Sequence, residues 1–280
     1  MIINVNLFEN FDIILFPLLV GILLSFTAAI IGVVLVLKRY SMIGDGLSHV
    51  SFGVFAVLIA LSPMIQDSTI ITYIAIPIVM VVAYLLLRIG ESTKIKGDAA
   101  IGLISSVALA IGYFVGSLSE GFTKDINSMM FGSVVTANKQ DFFIILPVTL
   151  VVILVFIILY NRIFAVTFDE DFAKATGMRT KTYNMIFAFF TAITVVIGIK
   201  IMGALLISSL ILLPALSAMQ VFTKFKKVII ASSIISVFCF VFAFFVFAKY
   251  SSASSIVIVN FVVFIVFSII GFFRRKFARA

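Results

Sequence analysis

Two side chains that could bind a metal ion lie four residues apart in an otherwise apolar part of the chain. Asp45 and His49, the only histidine of the sequence, belong to the segment Gly-Asp-Gly-Leu-Ser-His at 44–49. Residues at this spacing share one face of a helix. A neutral imidazole and an ionised carboxylate suit Zn²⁺ or Mn²⁺ near pH 7. We therefore predict that Asp45 and His49 bind a divalent transition metal.

This pair cannot complete a tetrahedral zinc site by itself. A second copy of the chain, water or backbone carbonyls would have to supply the other ligands, and such a loose site suits a protein that releases what it binds. A plainer interpretation is that Asp45 caps its helix after Gly44 while His49 hydrogen-bonds a neighbouring helix. An intramembrane metalloprotease is disfavoured, because a single histidine excludes H-E-x-x-H and leaves no second imidazole for a catalytic zinc.

A second polar segment, residues 169–177, has the composition of a short helix with well-defined ends. It has acidic residues in the first turn, helix-forming residues in the middle and a glycine at its end. A solvated surface helix is the plain interpretation, and a rigid contact for another protein is the alternative. The residues concerned are Asp169, Glu170, Asp171, Ala173 and Gly177.

The rest of the sequence is apolar enough to place the chain in a membrane. Hydrophobic residues make up 63% of the 280 positions, charged residues make up 11%, and the mean hydropathy is +1.31. A soluble globule of this size needs more polar surface. The net charge of +8 comes from short basic clusters between apolar runs, which indicates membrane topology rather than nucleic-acid binding.

Apolar runs long enough to cross a bilayer predict an all-α membrane protein with nine transmembrane helices in a single domain over residues 1–280, with eight or ten as alternatives. Of the 20 Lys and Arg residues, sixteen lie in one set of alternate loops and four in the other. Since cytoplasmic loops attract basic residues, this predicts the N-terminus outside and the C-terminus inside. The predicted spans are 12–37, 43–62, 69–88, 98–118, 140–161, 183–199, 201–220, 227–248 and 254–273.

Two local features of this prediction are unusual. The apolar stretch 183–220 is interrupted only by Lys200 and Gly203, so two spans must turn within very few residues. Residues 126–137 are mildly apolar but too short to span, which predicts an interfacial or re-entrant helix. Small residues and a proline inside the spans predict close packing or the lining of a path; they are Gly44, Gly46, Ser48, Gly203 and Pro214.

In their order along the chain, these motifs resemble the membrane subunits of ABC-type zinc and manganese importers. Residues 44–49 resemble the family's Gly-Asp-x-x-x-His element in the second span, and residues 169–177 resemble its cytoplasmic coupling helix. Residues 203–215 resemble its Gly-x-Leu-Leu…Pro-Ala span. The similarity extends over nearly the whole chain. One departure is the sequence Ser-Ser-Ala-Ser-Ser at 251–255, where the family often has a proline-containing segment.

The resemblance implies a permease subunit that moves a divalent metal across the cytoplasmic membrane of a bacterium. The metal passes as cargo, and no cofactor is permanently bound. The implied partners are a second permease subunit in a homodimer or heterodimer, two ATP-binding subunits on the inner face, an extracellular metal-binding protein and membrane lipid. Metal passage is assigned to Asp45 and His49, and the ATPase contact to residues 169–177.

The resemblance favours zinc over manganese, because the sequence at 44–49 is closer to that of the zinc members. The sequence contains no G-x-x-x-x-G-K-[ST], so the chain cannot cradle ATP phosphates by that route, and it is expected to be a transport subunit rather than an enzyme. The alternative function is a passive channel or a secondary metal carrier, which would transport without ATP and without a coupling helix.

Overall fold

The chain folds as a bundle of α-helices, which confirms the predicted all-α class. The computed structural model describes residues 11–61, 68–92, 97–118, 130, 132, 134, 137–247 and 252–277, and all regular secondary structure in these residues is helical. The helices are α1 (Phe11–Leu37), α2 (Ser41–Leu61), α3 (Ser68–Ser92), α4 (Gly97–Ser117), α5 (Lys139–Ile158), α6 (Tyr160–Phe168), α7 (Glu170–Ala175), α8 (Thr180–Met202), α9 (Ala204–Val221), α10 (Phe225–Val246) and α11 (Ser252–Phe277).

Each of the nine predicted spans coincides with one helix. Within the described ranges, eight helices are long and apolar enough to cross a membrane: α1, α2, α4, α5, α8, α9, α10 and α11. The third predicted span corresponds to α3, whose apolar segment Ile70–Leu86 is shorter than the other eight. At 1.5 Å per residue this segment is about 25 Å long, against about 30 Å of hydrocarbon. The chain is therefore a multi-pass membrane protein, and the count of nine depends on α3.

The tight turn predicted between the sixth and seventh spans consists of one residue. Gly203 lies between α8 and α9 with φ of 85° and ψ of 161°, a backbone region that is essentially restricted to glycine. Gly132, with φ of 65°, packs against this turn, since a Cβ at 132 would lie 1.8 Å from the carbonyl oxygen of Met202. Most of the predicted re-entrant segment 126–137 lies outside the described residues, so that helix stays a prediction.

Small residues bring the central helices into close contact. A Cβ on Gly53 of α2 would lie 2.3 Å from the carbonyl oxygen of Ala108 in α4, and one on Gly112 would lie 2.7 Å from the Cα of Gly53. A Cβ on Gly32 of α1 would lie 1.8 Å from the carbonyl oxygen of Ile211 in α9. In lipid, where tails are as apolar as side chains, such close packing is a main source of helix association. It packs α2 against α4 and α1 against α9.

The helix ends form two faces of the bundle, and one of these faces carries α7. At this α7 end, Phe225 at the start of α10 contacts Phe168 at the end of α6, with ring centroids 5.8 Å apart. Arg274 in the last turn of α11 donates to the carbonyl of Val221 at the end of α9 over 2.7 Å. The α7 end therefore collects the basic residues Lys38, Arg39, Arg162, Lys174, Arg179, Lys181, Lys224, Lys226, Lys227, Arg274, Arg275 and Lys276.

The opposite face contains a nearly buried ion pair between α5 and α8. Lys200 Nζ lies 3.2 Å from Asp141 Oδ1, with the two side chains 16% and 10% exposed. Asp141 also accepts a hydrogen bond from the backbone N–H of Asn138 over 3.1 Å. The carboxylate stands in the first turn of α5 and the ammonium in the last turn of α8, where helix dipoles stabilise these charges. The pair fastens the two helix ends together.

The orientation of the bundle is a testable prediction. The concentration of basic residues at the α7 end predicts that this end faces the cytoplasm. Reporter fusions placed after Arg39, Arg88, Arg179 and Lys227 should all give a cytoplasmic signal, in alkaline phosphatase and green fluorescent protein formats that report opposite sides. An external signal at any two of these positions would contradict the nine-span arrangement.

Candidate metal site and coupling helix

The Asp45–His49 pair lies on one face of α2, as its spacing predicts. Asp45 Oδ2 and His49 Nε2 are 3.6 Å apart, and the side chains are 46% and 34% exposed. Since α2 begins at Ser41, Asp45 is in the second turn rather than at the N-cap, so the capping interpretation does not describe it. The pair is open to the outside of a single chain, where a further ligand can approach.

The pair lies inside the membrane-spanning part of α2, Met42–Ala60. Gly44, which precedes it, contacts α9 at Ile211, because a Cβ at 44 would lie 3.3 Å from Ile211 Cγ2. Ile211 is roughly 10 Å along α9 from Ala204 and roughly 15 Å from Val221 at the α7 end, at 1.5 Å per residue. Ionisable side chains at this depth in a membrane protein are costly and usually functional.

In the described part of the chain, the predicted metal site has two candidate ligands. Among the described residues, no cluster contains three or more His, Cys, Asp or Glu side chains that could hold a metal ion. The hydroxyl of Ser48, which precedes His49, bonds to its own helix, since Ser48 Oγ donates to the carbonyl of Gly44 over 2.8 Å. The geometry fits an ion held by two side chains and completed by groups from elsewhere.

The small residues around the pair make packing contacts. A Cβ on Gly46 would lie 2.4 Å from Ile101 Cγ2 of α4, and Pro214 is buried inside α9. Gly203 and Ser48 have the backbone and hydrogen-bonding roles described above. Whether these residues also line a path for the metal stays a prediction.

The structure has the short helix expected at residues 169–177. The Asp169 side chain accepts a hydrogen bond from the backbone N–H of Phe172 over 2.9 Å, which caps the N-terminus of α7. At the C-terminus Gly177 has φ of 83°. Its N–H donates to the carbonyl of Lys174, and the N–H of Met178 donates to that of Ala173, each over 3.0 Å. This pair of bonds is a Schellman motif, which makes α7 a rigid unit.

A polar tether that the sequence did not reveal ties α7 to two membrane-spanning helices. Glu170 accepts one hydrogen bond from Asn184 of α8 over 3.3 Å and forms an ion pair with Lys38, after α1, over 3.9 Å. Lys38 also donates to the side-chain oxygen of Asn184. Within α7, Lys174 lies 3.0 Å from Glu170. An asparagine inside an apolar span was the only sequence signal for this tether, which joins residues far apart in the chain.

The tether is ionised at neutral pH. Burial of Glu170 opposes ionisation, but hydrogen bonds from Lys174 and Asn184 and the charge of Lys38 outweigh it and hold the pKa of this carboxyl below its usual value of 4.5. A carboxylate whose pKa is lowered stabilises the fold above its ordinary pKa, and that contribution is lost only as the pH falls through the lowered value. The contact therefore operates throughout the physiological range.

The tether ends close to the start of α2, the helix that carries Asp45 and His49. Lys38 is followed by a turn in which Arg39 has φ of 61°, and the N–H of Tyr40 donates to the carbonyl of Leu35 over 2.9 Å. α2 begins at the next residue, Ser41, and Asp45 lies one turn further on. α7 is thus bonded to Lys38, the residue at which the turn between α1 and α2 begins.

Known proteins are similar to this chain over most of its length. The family model described as "ABC 3 transport family" matches residues 10–271. The high-affinity zinc uptake system membrane protein ZnuB of Haemophilus influenzae is 28% identical over 206 residues, which cover 73% of this chain and 77% of that protein. The manganese import system permease protein ScaB of Streptococcus gordonii is 27% identical over 253 residues, 89% of this chain and 88% of that protein.

Solved structures share the fold. PsaBC from Streptococcus pneumoniae, in complex with Fab, superimposes with a TM-score of 0.79 at 26% identity and covers 92% of each chain. An inward-facing conformation of a putative metal-chelate type ABC transporter superimposes with a TM-score of 0.67 at 16% identity, covering 93% of this chain and 85% of that one.

Proposed function

The chain belongs to the ABC 3 transport family, and on that premise we propose that it is the membrane subunit through which an ATP-driven importer moves Zn²⁺ or Mn²⁺ across the cytoplasmic membrane of a bacterium. The observation that carries the proposal is the Asp45–His49 pair, 3.6 Å apart on α2 within the membrane-spanning segment Met42–Ala60. A carboxylate and an imidazole bind either ion, and an incomplete donor set lets the ion leave again.

Energy for transport would come from ATP-binding subunits docked at the α7 end. The sequence itself lacks a P-loop motif. α7 presents an exposed apolar and acidic surface, with Phe172 63% exposed and the side chain of Asp171 98% exposed. Its buried side carries Ala173 and the Glu170 tether. A rigid helix with one face exposed and the other bonded to α1 and α8 is suited to transmit the motion of a partner.

A second permease subunit would complete the metal site. Asp45 and His49 of one chain leave ligand positions open, and a second copy facing them across a two-fold axis would bring the same pair from the other side. An extracellular metal-binding protein would deliver the ion. We favour a homodimer, because the chain then supplies both halves of the site.

Zinc is the preferred cargo in this proposal, with manganese second. Curated relatives are named for both metals. The support for zinc is the sequence of residues 44–49, which is closer to that of the zinc members. Selectivity between zinc and manganese also depends on the delivering protein and on metal availability. The sequence of this chain is therefore one of several determinants of the choice between them.

The test is metal-dependent uptake in cells whose own copy of this gene has been deleted. We expect radioactive zinc to accumulate only when the chain is supplied together with its ATP-binding subunit, and unlabelled zinc to compete better than manganese. Uptake that persists with a catalytically inactive ATP-binding subunit would contradict the proposal and support the passive channel or secondary carrier.

A further inference from the structure

An apolar groove runs along the outside of the bundle between α1 and α10. It has a volume of about 580 Å³ and is lined by α1 side chains such as Phe26 and Ile30 and by a stripe on α10 from Ile229 to Val241. Several α10 side chains along it are exposed, including Ile234 at 64% and Phe238 at 60%. In a membrane protein a groove of this composition faces hydrocarbon.

The groove is about as long as one leaflet of the bilayer is thick, and it lies at the level of the leaflet at the α7 end. It starts at Ile229, four residues after the aromatic contact that places Phe225 at the α7 end. From Ile229 to Val241 the helix rises about 18 Å at 1.5 Å per residue, slightly more than half of a hydrocarbon core of about 30 Å. An acyl chain of the leaflet on the α7 side can therefore lie along its whole length.

Two lysines stand at the mouth of the groove on the same stripe. Lys226 is four residues before Ile230 and seven before Ser233, so these side chains share one helix face, and Lys227 flanks it. Both lysines are exposed, and neither forms an ion pair with a carboxylate in the part of the chain that the structure describes. Helical side chains lean toward the N-terminus, which here points the ammonium groups to the membrane surface.

The groove also contains an unused hydrogen-bond donor. Ser233 is 5% exposed, lines the groove, and its hydroxyl makes no hydrogen bond to any described residue. It lies about 10 Å deeper along the helix than Lys226 at 1.5 Å per residue, below the level of the headgroup. A buried hydroxyl without a partner is costly, and an ester carbonyl from a lipid would satisfy it.

We propose that the α1–α10 groove binds one anionic phospholipid of the leaflet at the α7 end, with an acyl chain along the groove and the phosphate between Lys226 and Lys227. The apolar lining would bind the acyl chain, and the lysine pair would bind the negatively charged headgroup. The proposal depends only on the chain being embedded in a membrane, so it stands or fails independently of metal transport.

The experiment compares lipid retention by the purified full chain. Protein is incubated with an equimolar mixture of phosphatidylglycerol and phosphatidylcholine, washed in detergent and examined by native mass spectrometry. Wild-type protein should retain phosphatidylglycerol in preference to phosphatidylcholine. Replacement of both lysines, Lys226→Gln with Lys227→Gln, should lower that preference at least about fivefold, since a lysine near an anionic surface contributes about a factor of five.

A matched control removes the same charge from the same end of the bundle. Lys181→Gln with Lys276→Gln replaces two exposed lysines outside the groove and should leave the preference unchanged. The proposal would be overturned if the Lys226→Gln, Lys227→Gln variant kept the wild-type preference for phosphatidylglycerol, or if the control variant lost that preference to the same extent. Because all four lysines are exposed, these variants are expected to fold, which size-exclusion chromatography checks.

Two further arms identify the occupant. Val237→Phe, which narrows the groove and keeps both lysines, should reduce phosphatidylglycerol retention. Full retention would show that the acyl chain of the lipid lies outside the groove. Excess inorganic phosphate should not displace the lipid, and displacement would show a headgroup-only site. Ile230→Cys in a Cys239→Ala background should not cross-link in membranes, whereas disulfide-linked dimers would show that a second copy of the chain occupies the groove.

Discussion

Replacing Asp45 or His49 by alanine is expected to abolish metal uptake while the protein still inserts and assembles with its ATP-binding subunits. In the proposed metal site, the pair provides both side-chain donors of each chain. Removal of a mere supporting group around a metal costs 10–100-fold in affinity or activity, so loss of a direct ligand should cost more than about 100-fold. Initial rates of radioactive zinc uptake in whole cells measure the effect.

The stability of the protein should change little in these two variants. Both side chains are partly exposed, and neither fills a buried space, so the alanine variants should match wild type in membrane abundance and in co-purification with the ATP-binding subunit. Ser48→Ala is a suitable control, because Ser48 directly precedes His49 and its hydroxyl bonds within its own helix. Near-normal uptake by both alanine variants would reduce Asp45 and His49 to packing residues.

The features that the sequence predicted are those that depend on local chemistry. Apolar runs had to become helices because a backbone in lipid must satisfy its own hydrogen bonds. The break at Gly203 followed from a glycine in an otherwise unbroken apolar stretch, and the caps of α7 followed from Asp169 and Gly177. The common face of Asp45 and His49 followed from helical spacing alone.

The features that the sequence did not predict depend on residues distant along the chain. Lys200 was predicted to lie in an outer loop, and it is at the end of the bundle opposite α7, but its ion pair with Asp141 spans 59 positions. The tether from Glu170 to Lys38 spans 132 positions. Charge counting assigns a residue to one end of a bundle, whereas tertiary packing chooses its partner there.

The helix α6 shows a third limit of local reasoning. The fifth span was predicted at 140–161, yet the helical path continues after a turn at Leu159 to Phe168. Phe164 and Phe168 of α6 both contact Phe225 of α10, the first tilted and the second edge-on, with ring centroids 5.4 Å and 5.8 Å away. This aromatic cluster fixes α6, and with it the start of α7, against the bundle. Its members come from two distant segments, so hydropathy alone could not find it.

Substitutions that distort α7 are expected to uncouple ATP hydrolysis from transport. Ala173 is fully buried, so Ala173→Leu would overpack its contact with the bundle at a cost of about 1–3 kcal/mol. Gly177 has φ of 83° and nothing within 4 Å of a built Cβ. Gly177→Val would therefore act through backbone strain of about 1–2 kcal/mol in the left-handed region rather than through a clash. Both changes shift a helix that is tethered, through Glu170, beside the start of α2.

The measurement is metal-stimulated ATPase activity and metal uptake by the same reconstituted complexes. We expect ATP hydrolysis to persist while uptake falls at least about tenfold, since 1.4 kcal/mol of lost coupling is a factor of ten. Gly177→Asn is the matched control, because asparagine tolerates the left-handed conformation and should preserve coupling. Delivery of metal to the outer face, at the far end of the bundle, should be normal in every variant. If the leucine and valine variants retain both full stimulation and full transport, α7 is only a connector between α6 and α8, and the passive carrier becomes the better explanation of the metal pair.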